Sequence, residues 1–490
     1  MSQALLCVTV TGRTSAELRE RRDAVEGADL VELRLDTVND PSVPAALAGR
    51  KTPVLVTCRP AWEGGSFKGS EEARKRILDE ALTLGADYVD VEWRAGFDDL
   101  LQRSGGRNVV LSMHDYGGMP ADLASRVQAM RSTGAAIVKV AVTPRCLADT
   151  AALLDLGAHA SSDGRLVVIG MGEYGFVTRV FAARFRSAWT YAGSIRDVGQ
   201  VDAAVLTTSY RFGSITDRTA MYGVVGGSVA HSVSPAMHNA AFGALHMDAA
   251  YVPLPAVSAP DFVTFGRAIG IKGASVTIPH KVTLFDFVDE AYAVARRIGA
   301  INTIRVEGTR WIGGNTDAQG FLEPLQSRAR INGLRAAVLG AGGAARAVTV
   351  GLQSTGTSVR VHARDRAKAE AVAALTSADV GDWPPKPGTW DLLVNTTPVG
   401  MVPRVDETPI EKALLTGRYV YDLVYNPPVT RLLREAEEMG CQTFGGLDML
   451  VAQAHEQFQW WTGTRAPAGV MREAALKRLA EFARNEDYVV

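Results

Sequence analysis

The sequence predicts an α/β protein in which an N-terminal (β/α)8 barrel is followed by a two-domain α/β module. Two observations lead to this prediction. Up to about residue 200, eight short apolar runs alternate with longer amphipathic segments, a pattern typical of parallel strands joined by helices. Beyond about residue 216 the pattern changes, and a glycine-rich turn at 340–344 follows a predicted strand and opens a predicted helix. That arrangement is typical of a Rossmann-like dinucleotide domain.

The composition indicates a globular protein that acts on small molecules. The 52 basic and 53 acidic residues leave a net charge of −1, which argues against a nucleic acid or a membrane surface as partner. No apolar run approaches the length of a membrane span, and MSQALLCVTVTG at the start lacks the pattern of a signal peptide. Cysteines 7, 58, 146 and 441 are too scattered for a disulfide framework or a zinc cluster. We therefore expect a cytoplasmic protein without a metal site, and the sequence does not indicate an oligomeric state.

Polar residues lie within or just after most of the predicted barrel strands. The strands are predicted at 4–10, 29–35, 53–58, 87–93, 108–113, 136–142, 165–171 and 187–193. The polar residues are Glu32, Arg34, Asp36, Arg59, Glu63, His114, Asp115, Lys139 and Arg179. In (β/α)8 barrels the reactive groups gather at the C-terminal ends of the strands. The distribution therefore predicts one site assembled from many loops.

Lys139 stands in the middle of an apolar run, AAIVKVAVTP (135–144), although lysine is among the side chains least often buried. Burial favours the neutral amine, which can attack a ketone and form a Schiff base. A histidine nearby, such as His114, would then remove a proton next to the imine. Two structural alternatives remain: Lys139 reaches the barrel mouth or pairs with Glu32, and His114 is a structural histidine. Both residues together, with arginines and carboxylates at the same barrel end, favour chemistry.

Four segments of the barrel half resemble type I 3-dehydroquinate dehydratase. They are ELRLD (32–36), TCRPAWEGG (57–65), SMHDY (112–116) and IVKVA (137–141), and the resemblance spans roughly residues 4 to 202. It implies that Lys139 is the Schiff-base lysine, that His114 is the general acid and base, and that Glu63 orients the histidine. The substrate-binding positions that it implies are Glu32, Arg34, Arg59, Arg179 and Gln200. Arginine suits the substrate carboxylate because its planar fork makes two charge-assisted bonds.

The last barrel loop departs from this family's pattern. The family usually has SAPGQ there, with a serine that closes over the substrate, whereas this chain has RDVGQ (196–200). Arg196 therefore stands where the serine is expected. MGEYGFVTR (171–179) is also a loose version of its motif.

Two further groups of residues in the second half are typical of a small-ligand site. Ser232 and Ser234 lie in a serine-rich loop before Pro235, so they suit a polyhydroxylated ligand or simply an N-cap and turn. Lys281 follows a predicted strand, and Asp317 lies in WIGGNTDAQGF (311–321). These two form either a reactive pair or an ordinary surface pair.

The dinucleotide turn is a variant of the usual fingerprint. It reads GAGGAA rather than GxGxxG, and its key residues are Gly340, Gly342, Gly343 and Ala344. The glycines let the backbone approach a pyrophosphate at the helix N-terminus, although the turn could also exist without a ligand. The next strand, SVRVHARDR (358–366), ends in Arg364 and Arg366 with Asp365 between them. Arginine near this position favours NADP over NAD.

Seven segments of the second half resemble shikimate dehydrogenase, in order from residue 221 to about 480. They are HSVSPAMHN, SVTIPHK, INT, NTDAQG, GAGGAARA, NTTPVGM and GGLDMLVAQA. The resemblance implies that Lys281 and Asp317 are the catalytic pair, that Asn395 and Thr397 line the nicotinamide side, and that the cofactor is NADP. The shikimate-binding positions that it implies are Ser232, Ser234, Thr277, Asn302 and Gln453.

The whole chain thus resembles bifunctional fusions of the two enzymes. The expected domains are the dehydratase barrel (1–215), the dehydrogenase substrate domain (216–330, with 446–490 packing back on it) and the NADP-binding domain (331–445), with a short linker at roughly 202–220. The expected reactions are dehydration of 3-dehydroquinate to 3-dehydroshikimate and NADPH-dependent reduction of the latter to shikimate. Two alternatives remain, a catabolic quinate or shikimate dehydrogenase and a non-catalytic regulator built from degenerate copies of these domains. The retained reactive residues argue against a regulator.

Overall fold

The computed structural model describes residues 3–160 and 165–484, which divide into two units. The first unit comprises 3–220 together with 248–270, and the second comprises 221–247 together with 271–484. Residues 1–2, 161–164 and 485–490 of the predicted domains lie outside the described residues. No helix in the described ranges is long and apolar enough to cross a membrane.

The first unit contains the predicted parallel barrel sheet. Its strands are β1 (Leu5–Val10), β2 (Leu30–Arg34), β3 (Val54–Thr57), β4 (Tyr88–Glu92), β5 (Val109–Asp115), β6 (Ile137–Val142), β7 (Leu166–Gly170) and β8 (Trp189–Ala192). They pair in the order β7-β6-β5-β4-β3-β2-β1-β8. At the β7–β8 edge the Ala188 N–H donates to the Leu166 carbonyl at 2.7 Å, so the two end strands approach each other. The prediction of eight parallel barrel strands is confirmed.

Helices follow the barrel strands. They are α1 (Ser15–Asp23), α2 (Val43–Leu47), α3 (Glu71–Thr83), α4 (Asp98–Ser104), α5 (Leu123–Ser132), α6 (Leu147–Ala160) and α7 (Gly172–Val180). The local sequence explains several starts, because the side chains of Thr14, Ser42 and Ser70 accept hydrogen bonds from N–H groups of the first turn.

Alternation along the strands sorts the barrel interior into an apolar and a polar layer. Residues two apart on a strand face the same side. Leu30, Val110 and Ile137 therefore share a buried apolar cluster. The residues two positions further along the same strands, Glu32, Ser112 and Lys139, are buried and polar. The polar layer lies toward the C-terminal strand ends, where we expected the site.

Two segments outside the barrel repeat also belong to the first unit. The predicted linker contains a helical turn at Val205–Ser209 and another at Phe212–Ser214, with Leu206 and Ile215 buried, so it is folded rather than extended. Residues 248–270 form strand β10 (Ala249–Pro255) and helix α9 (Ala259–Ile269). Strand β9 (Ala220–Gly226) and helix α8 (Ser234–Ala244) precede this second segment in the chain.

The second unit contains a mixed sheet and a parallel sheet. Elements of the mixed-sheet region are β9 (Ala220–Gly226), α8 (Ser234–Ala244), β11 (Gly273–Val276), α10 (His280–Thr283), β12 (Glu290–Ala291), α11 (Ala293–Ile298), β13 (Thr303–Glu307), β14 (Arg310–Gly314) and α12 (Asp317–Gln326). Within this unit the strands lie in the order β9-β11-β13-β14-β12. Strands β9 and β11 are parallel, whereas β13 is antiparallel to both of its neighbours.

The parallel sheet has the strand order of a Rossmann-like domain. Its elements are β15 (Arg335–Leu339), α13 (Gly343–Ser354), β16 (Ser358–His362), α14 (Arg366–Thr376), β17 (Asp379–Val380), β18 (Leu392–Asn395), β19 (Tyr419–Asp422), α15 (Arg431–Glu438) and β20 (Gln442–Phe444). The order β17-β16-β15-β18-β19-β20 has its switch point between β15 and β18, where such sheets bind dinucleotides. The predicted Rossmann-like sheet is confirmed.

The C-terminal helices pack against the mixed-sheet region. They are α16 (Gly446–Thr462) and α17 (Val470–Arg484). From α16, the Gln457 amide donates to the Asn302 carbonyl at 3.1 Å, and the Trp461 indole donates to Thr303 Oγ1 at 3.0 Å. The predicted domain boundaries themselves stay predictions.

Candidate active sites

Lys139 is buried in the polar layer of the barrel. Its Nζ donates to Asp90 Oδ2 at 3.1 Å and lies 4.5 Å from the centre of the Tyr191 ring. The side chain of Lys139 is 6% exposed and that of Asp90 is fully buried. The carboxylate partner of the lysine is thus Asp90, not Glu32 as one structural alternative suggested.

His114 is held next to this layer by Glu63. Glu63 Oε1 accepts the backbone N–H of His114 at 2.9 Å and lies 3.3 Å from His114 Nδ1. Burial, reinforced by the positive charges of Arg59 and Lys139, holds the pKa of His114 well below its usual range. Burial also raises the pKa of Glu63. The arrangement keeps a neutral imidazole with one ring nitrogen fixed by a carboxylate.

Arg59 organises a buried charge cluster that the sequence analysis missed. Its Nη2 donates to Asp90 Oδ2 at 2.9 Å, and its Nη1 donates to Glu92 Oε1 at 2.7 Å and to Ser112 Oγ at 2.8 Å. The Arg74 guanidinium binds the other oxygen of Glu92. The charge of Arg59 holds the pKa of Asp90 below its usual range despite complete burial. The signal was present in DYVDVEW (87–93), where two acids two positions apart must share one strand face.

The other predicted substrate-binding residues of the barrel lie around this cluster. Glu32 accepts from the hydroxyls of Thr9 and Thr57, both at 2.8 Å. Arg34 forms a forked pair with Asp36 at 2.8 and 2.7 Å. Gln200 donates to Thr9 Oγ1 at 3.2 Å. These bonds link Gln200 and Glu32 through one threonine.

Arg179 differs from the other arginines of the barrel. It is 1% exposed, and among the residues that the structure describes its guanidinium donates only to the backbone carbonyls of Tyr191 and Val198. No carboxylate of the described chain forms an ion pair with it. Burial lowers the pKa of Arg179 to about 10. A buried cation without a protein anion is suited to a carboxylate of a ligand.

Arg196, at the position of the expected serine, is engaged by its own loop. It lies in a short helical turn, Arg196–Val198, and its Nη2 is 2.7 Å from Asp202 Oδ2. Its Nη1 donates to the Gln200 carbonyl at 3.1 Å. The guanidinium is therefore tied to the loop that carries Gln200.

In the second unit, Lys281 and Asp317 form a short ion pair between Nζ and Oδ2. Asn302 donates to the other oxygen of Asp317 at 2.7 Å and to Thr316 Oγ1 at 2.9 Å. Asp317 opens α12, and its side chain is 6% exposed. The pair is thus partly buried and hydrogen-bonded, which distinguishes it from an ordinary surface pair.

The remaining predicted shikimate-binding residues lie on several elements of this unit. Ser234 begins α8, and its N–H donates to Ser232 Oγ at 3.2 Å. Thr277 directly follows β11, and its N–H donates to the Val225 carbonyl at 2.9 Å. The backbone carbonyl of Gln453, on α16, accepts from Thr316 Oγ1 at 3.2 Å. Helices α12 and α16 meet at Gly320, where a Cβ would lie 2.7 Å from the Gln453 Cβ.

The glycine turn after β15 fits a dinucleotide. Gly340 has a φ of +115°, and a Cβ there would lie 2.6 Å from Thr396 Oγ1, so only glycine is accommodated. A Cβ at Gly342 would meet no atom within 4 Å, which leaves open space beside the N-terminus of α13. A Cβ at Gly343 would lie 3.3 Å from Lys281 Cδ. The turn therefore adjoins the Lys281–Asp317 pair, while Ala344 lies in the first turn of α13.

The end of β16 is followed by two exposed arginines, Arg364 and Arg366. Arg364 is exposed and has no ion pair within the described residues. Arg366 lies 3.0 Å from Glu370 on the same helix. Asp365 caps α14 by accepting the Lys368 N–H at 3.3 Å, so the intervening acid has a structural use.

The side chain of Asn395 is buried and stabilises the turn after β18. It is fully buried, and its amide donates to Asp422 Oδ1 at 2.9 Å. Its carbonyl oxygen accepts from the N–H and hydroxyl of Thr397 at 3.0 and 2.7 Å. Burial raises the pKa of Asp422 to about 6. Asn395 thereby positions Thr397.

Three family profiles match the chain. Residues 6–217 match type I 3-dehydroquinase, residues 224–304 match the shikimate dehydrogenase substrate binding domain, and residues 446–476 match the shikimate 5'-dehydrogenase C-terminal domain.

Full-length relatives agree with these profiles. A bifunctional 3-dehydroquinate dehydratase/shikimate dehydrogenase of Arabidopsis thaliana, described as chloroplastic, is 36% identical over 480 residues, which cover 90% of this chain and 79% of the relative. A shikimate dehydrogenase (NADP(+)) of Symbiobacterium thermophilum is 43% identical over 52% of this chain and 94% of its own. A crystal structure of a shikimate dehydrogenase in complex with NADP+ is similar with a TM-score of 0.52 and 33% identity, covering 54% of this chain and 97% of that one.

Proposed function

We propose how individual residues carry out the two reactions of this chain, which belongs to the bifunctional 3-dehydroquinate dehydratase/shikimate dehydrogenase family. The chain is a dehydratase and an NADP-dependent dehydrogenase. One observation carries the residue assignment for the dehydratase. Lys139 is buried beside Asp90, and His114, on the neighbouring strand β5, is kept neutral and is fixed by Glu63.

In the dehydratase, Lys139 Nζ attacks the ketone of 3-dehydroquinate, and loss of water gives an imine. The imine accepts electrons from the adjacent carbon, so a proton there becomes acidic enough for His114 to remove. The electron pair then expels the β-hydroxyl group, which leaves as water with the proton from His114. Hydrolysis of the imine releases 3-dehydroshikimate and frees Lys139.

The low pKa of His114 suits the first of these proton transfers. A histidine that is neutral near pH 7 is ready to act as a base, whereas a protonated one is not. Glu63 fixes the ring through Nδ1, which leaves Nε2 for the substrate. Asp90 accepts from Lys139, and its own position is fixed by hydrogen bonds from Arg59 and the Ser112 hydroxyl.

The substrate carboxylate binds to Arg179, which has no anion of its own in the described chain. Glu32 and Arg34 on β2, and Gln200 in the last barrel loop, hold the hydroxyl groups and the carboxylate of the substrate together with Arg179. Arg59 is already bonded to two acids, so its direct contact with substrate stays a prediction.

In the dehydrogenase, Lys281 and Asp317 handle the proton. The turn Gly340–Ala344 would hold the phosphates of NADPH, Arg364 and Arg366 would bind its 2′-phosphate, and the bound cofactor would supply the hydride. Lys281 donates a proton from Nζ to the oxygen of the carbonyl that is reduced, and Asp317 stabilises the ammonium before transfer. Ser232, Ser234, Thr277, Asn302 and Gln453 hold the hydroxyls and carboxylate of the ring, and Thr397 lines the nicotinamide side.

Borohydride trapping with 3-dehydroquinate tests the dehydratase assignment. We expect one reduced adduct, mapped to Lys139 by mass spectrometry, together with formation of the absorbing product in untrapped enzyme. Lys139→Met removes both, while Lys51→Met, an exposed lysine of the same unit, keeps both. An adduct on another lysine, or turnover by Lys139→Met, contradicts the assignment.

The functional domains are proposed at residues 1–215, 216–330 with 446–490, and 331–445. The cell compartment is proposed to be the cytoplasm, because Cys7, Cys58, Cys146 and Cys441 are all free thiols, as expected in a reducing environment. Fractionation with antibody detection tests the compartment, and recovery in a membrane or secreted fraction contradicts it.

A further inference from the structure

Residues 248–270 match the dehydrogenase by sequence, and in the structure they belong to the first unit together with the barrel. They lie inside the stretch 224–304 that matches the shikimate dehydrogenase substrate binding domain. In the structure they are part of the first unit, as β10 and α9. Arg184, which follows α7 of the barrel, donates to the Ile269 carbonyl at the end of α9 at 3.1 Å.

Asp261, in the first turn of α9, caps a barrel helix. Its Oδ1 accepts the N–H of Ala148 at 2.8 Å, and its Oδ2 accepts the N–H of Leu147 at 3.3 Å. Oδ2 also accepts the N–H of Val257 at 3.1 Å, and the whole residue is 7% exposed. The N–H groups of a first helical turn have no partner within their own helix, and a carboxylate also complements the helix dipole there. Asp261 therefore fixes the start of α6.

Helix α6 follows β6, the strand that carries Lys139, through the short loop 143–146. In that loop Thr143 donates from its N–H to the Gly118 carbonyl and from its hydroxyl to the Asp115 carbonyl, both at 3.1 Å. The Arg145 guanidinium donates to the Gly117 carbonyl. The loop held by α6 thus in turn holds residues 115–118, which directly follow His114.

We propose that Asp261 is a positioning residue of the dehydratase, supplied from outside the barrel's own sequence. It acts through the start of α6 and loop 143–146, which together fix the end of the Lys139 strand and the segment after His114. The inference rests on the proposed roles of Lys139 and His114.

Asp261→Asn in the full chain tests this role. The amide keeps the volume but has one accepting oxygen, no charge, and an NH2 group that faces N–H donors. Well below the unfolding temperature we expect the dehydratase kcat to fall on the order of tenfold, since small displacements of reacting groups cost rate steeply. KM for 3-dehydroquinate should change less than kcat. Shikimate dehydrogenase turnover, measured on the same sample, reports the second unit and should stay within about twofold of wild type, while a thermal melt of that sample reports whether the first unit is folded.

Ser258→Ala is the matched control. Ser258 Oγ accepts the Asp261 N–H at 3.3 Å and caps α9 itself, but within the described part of the chain it makes no hydrogen bond to α6. We expect the dehydratase kcat of this variant to remain unchanged. Asp261→Glu keeps the carboxylate, so it should recover part of the kcat that Asp261→Asn loses, and it serves as the informative variant if Asp261→Asn does not fold.

Three results would overturn the inference. One is an Asp261→Asn enzyme with a lower melting temperature but wild-type kcat, which makes the residue structural only. Another is an equal loss of kcat in Ser258→Ala, which assigns the effect to the fold of α9. The third is an Asp261→Glu enzyme no better than Asp261→Asn. An inactive wild-type dehydratase would instead overturn the proposed function, and this inference with it.

Discussion

Replacing Arg179 with methionine should separate substrate binding from stability. Burial lowers the pKa of Arg179 to about 10, and at about 1.4 kcal/mol per pH unit this corresponds to a cost of roughly 3 kcal/mol to the folded state. Because the folded-state pKa lies below the unfolded one, this cost is fully present at neutral pH and falls only as the pH rises above about 10. Burial of this guanidinium therefore destabilises the folded state.

Removing the guanidinium relieves this burial cost, but it also removes the two hydrogen bonds to the backbone carbonyls, which offsets the gain in stability. Hydrogen bonds to charged groups contribute roughly 1.5 to 3 kcal/mol each, and the bond to Tyr191, at 3.3 Å, is long. We therefore expect the free energy of unfolding of Arg179→Met, measured in urea, to lie within about 1.5 kcal/mol of wild type. The lost forked bond to the substrate carboxylate should lower kcat/KM about 100-fold to 1000-fold.

The assay follows product absorbance over a range of 3-dehydroquinate concentrations, with an analogue that lacks the carboxylate as second substrate. Arg179→Met should lose its preference for the natural substrate. Arg22→Met is the control, since Arg22 is also buried and bonded to carbonyls, those of Ala46 and Ala48, but lies on α1 with Asp23 as its anion. It should lower stability without changing KM. A kcat/KM for Arg179→Met within about threefold of wild type, or a stability loss above about 3 kcal/mol, would refute the reasoning.

Three further predictions concern the pH profile and the dehydrogenase. Because the pKa of His114 lies well below 6.5, the acid limb of dehydratase kcat/KM should also lie well below pH 6.5; a limb at or above that pH contradicts the assignment of the base. Lys281→Met should lower dehydrogenase kcat at least about 100-fold with the dehydratase unchanged, and equal loss of both activities would indicate misfolding instead. Arg364→Gln should raise KM for NADPH about tenfold while leaving KM for NADH within twofold, so parallel changes for both cofactors would rule out a contact with the 2′-phosphate.

Strand positions were predictable because alternation and burial are local properties of the sequence. All eight barrel strands lie within the predicted runs to within two residues, as with 136–142 against Ile137–Val142. The glycine turn was predictable for the same reason, because strand, turn and helix are contiguous. The order of the Rossmann-like sheet follows from its alternation of strands and helices and the right-handed connections between them.

Partners across strands were less predictable, because they depend on register rather than on local pattern. The register puts Lys139 opposite Ser112 on β5 and Ser112 opposite Glu92 on β4. Lys139 nevertheless bonds Asp90, which lies two residues before Glu92 on the same face of β4. A sequence gives the facing direction of each side chain but not this lateral alignment. The hydrogen bonds between Asp261 and the start of α6 could not be predicted for a similar reason, since Asp261 and Leu147 are separated by 114 positions.

Each candidate site contains a lysine beside an aspartate, but the surroundings of the two aspartates differ. Asp90 forms ion pairs with both Lys139 and Arg59, at 3.1 and 2.9 Å, so its negative charge is divided between two cations. Asp317 has Lys281 as its one ion-pair partner in the described chain, and its second oxygen is bonded to the neutral amide of Asn302. The first arrangement suits an amine that attacks a ketone, because the carboxylate that holds it is also bound to a second cation. The second suits a lysine that passes a proton to the oxygen of a reduced carbonyl, because the pair is isolated from other charged groups of the described chain.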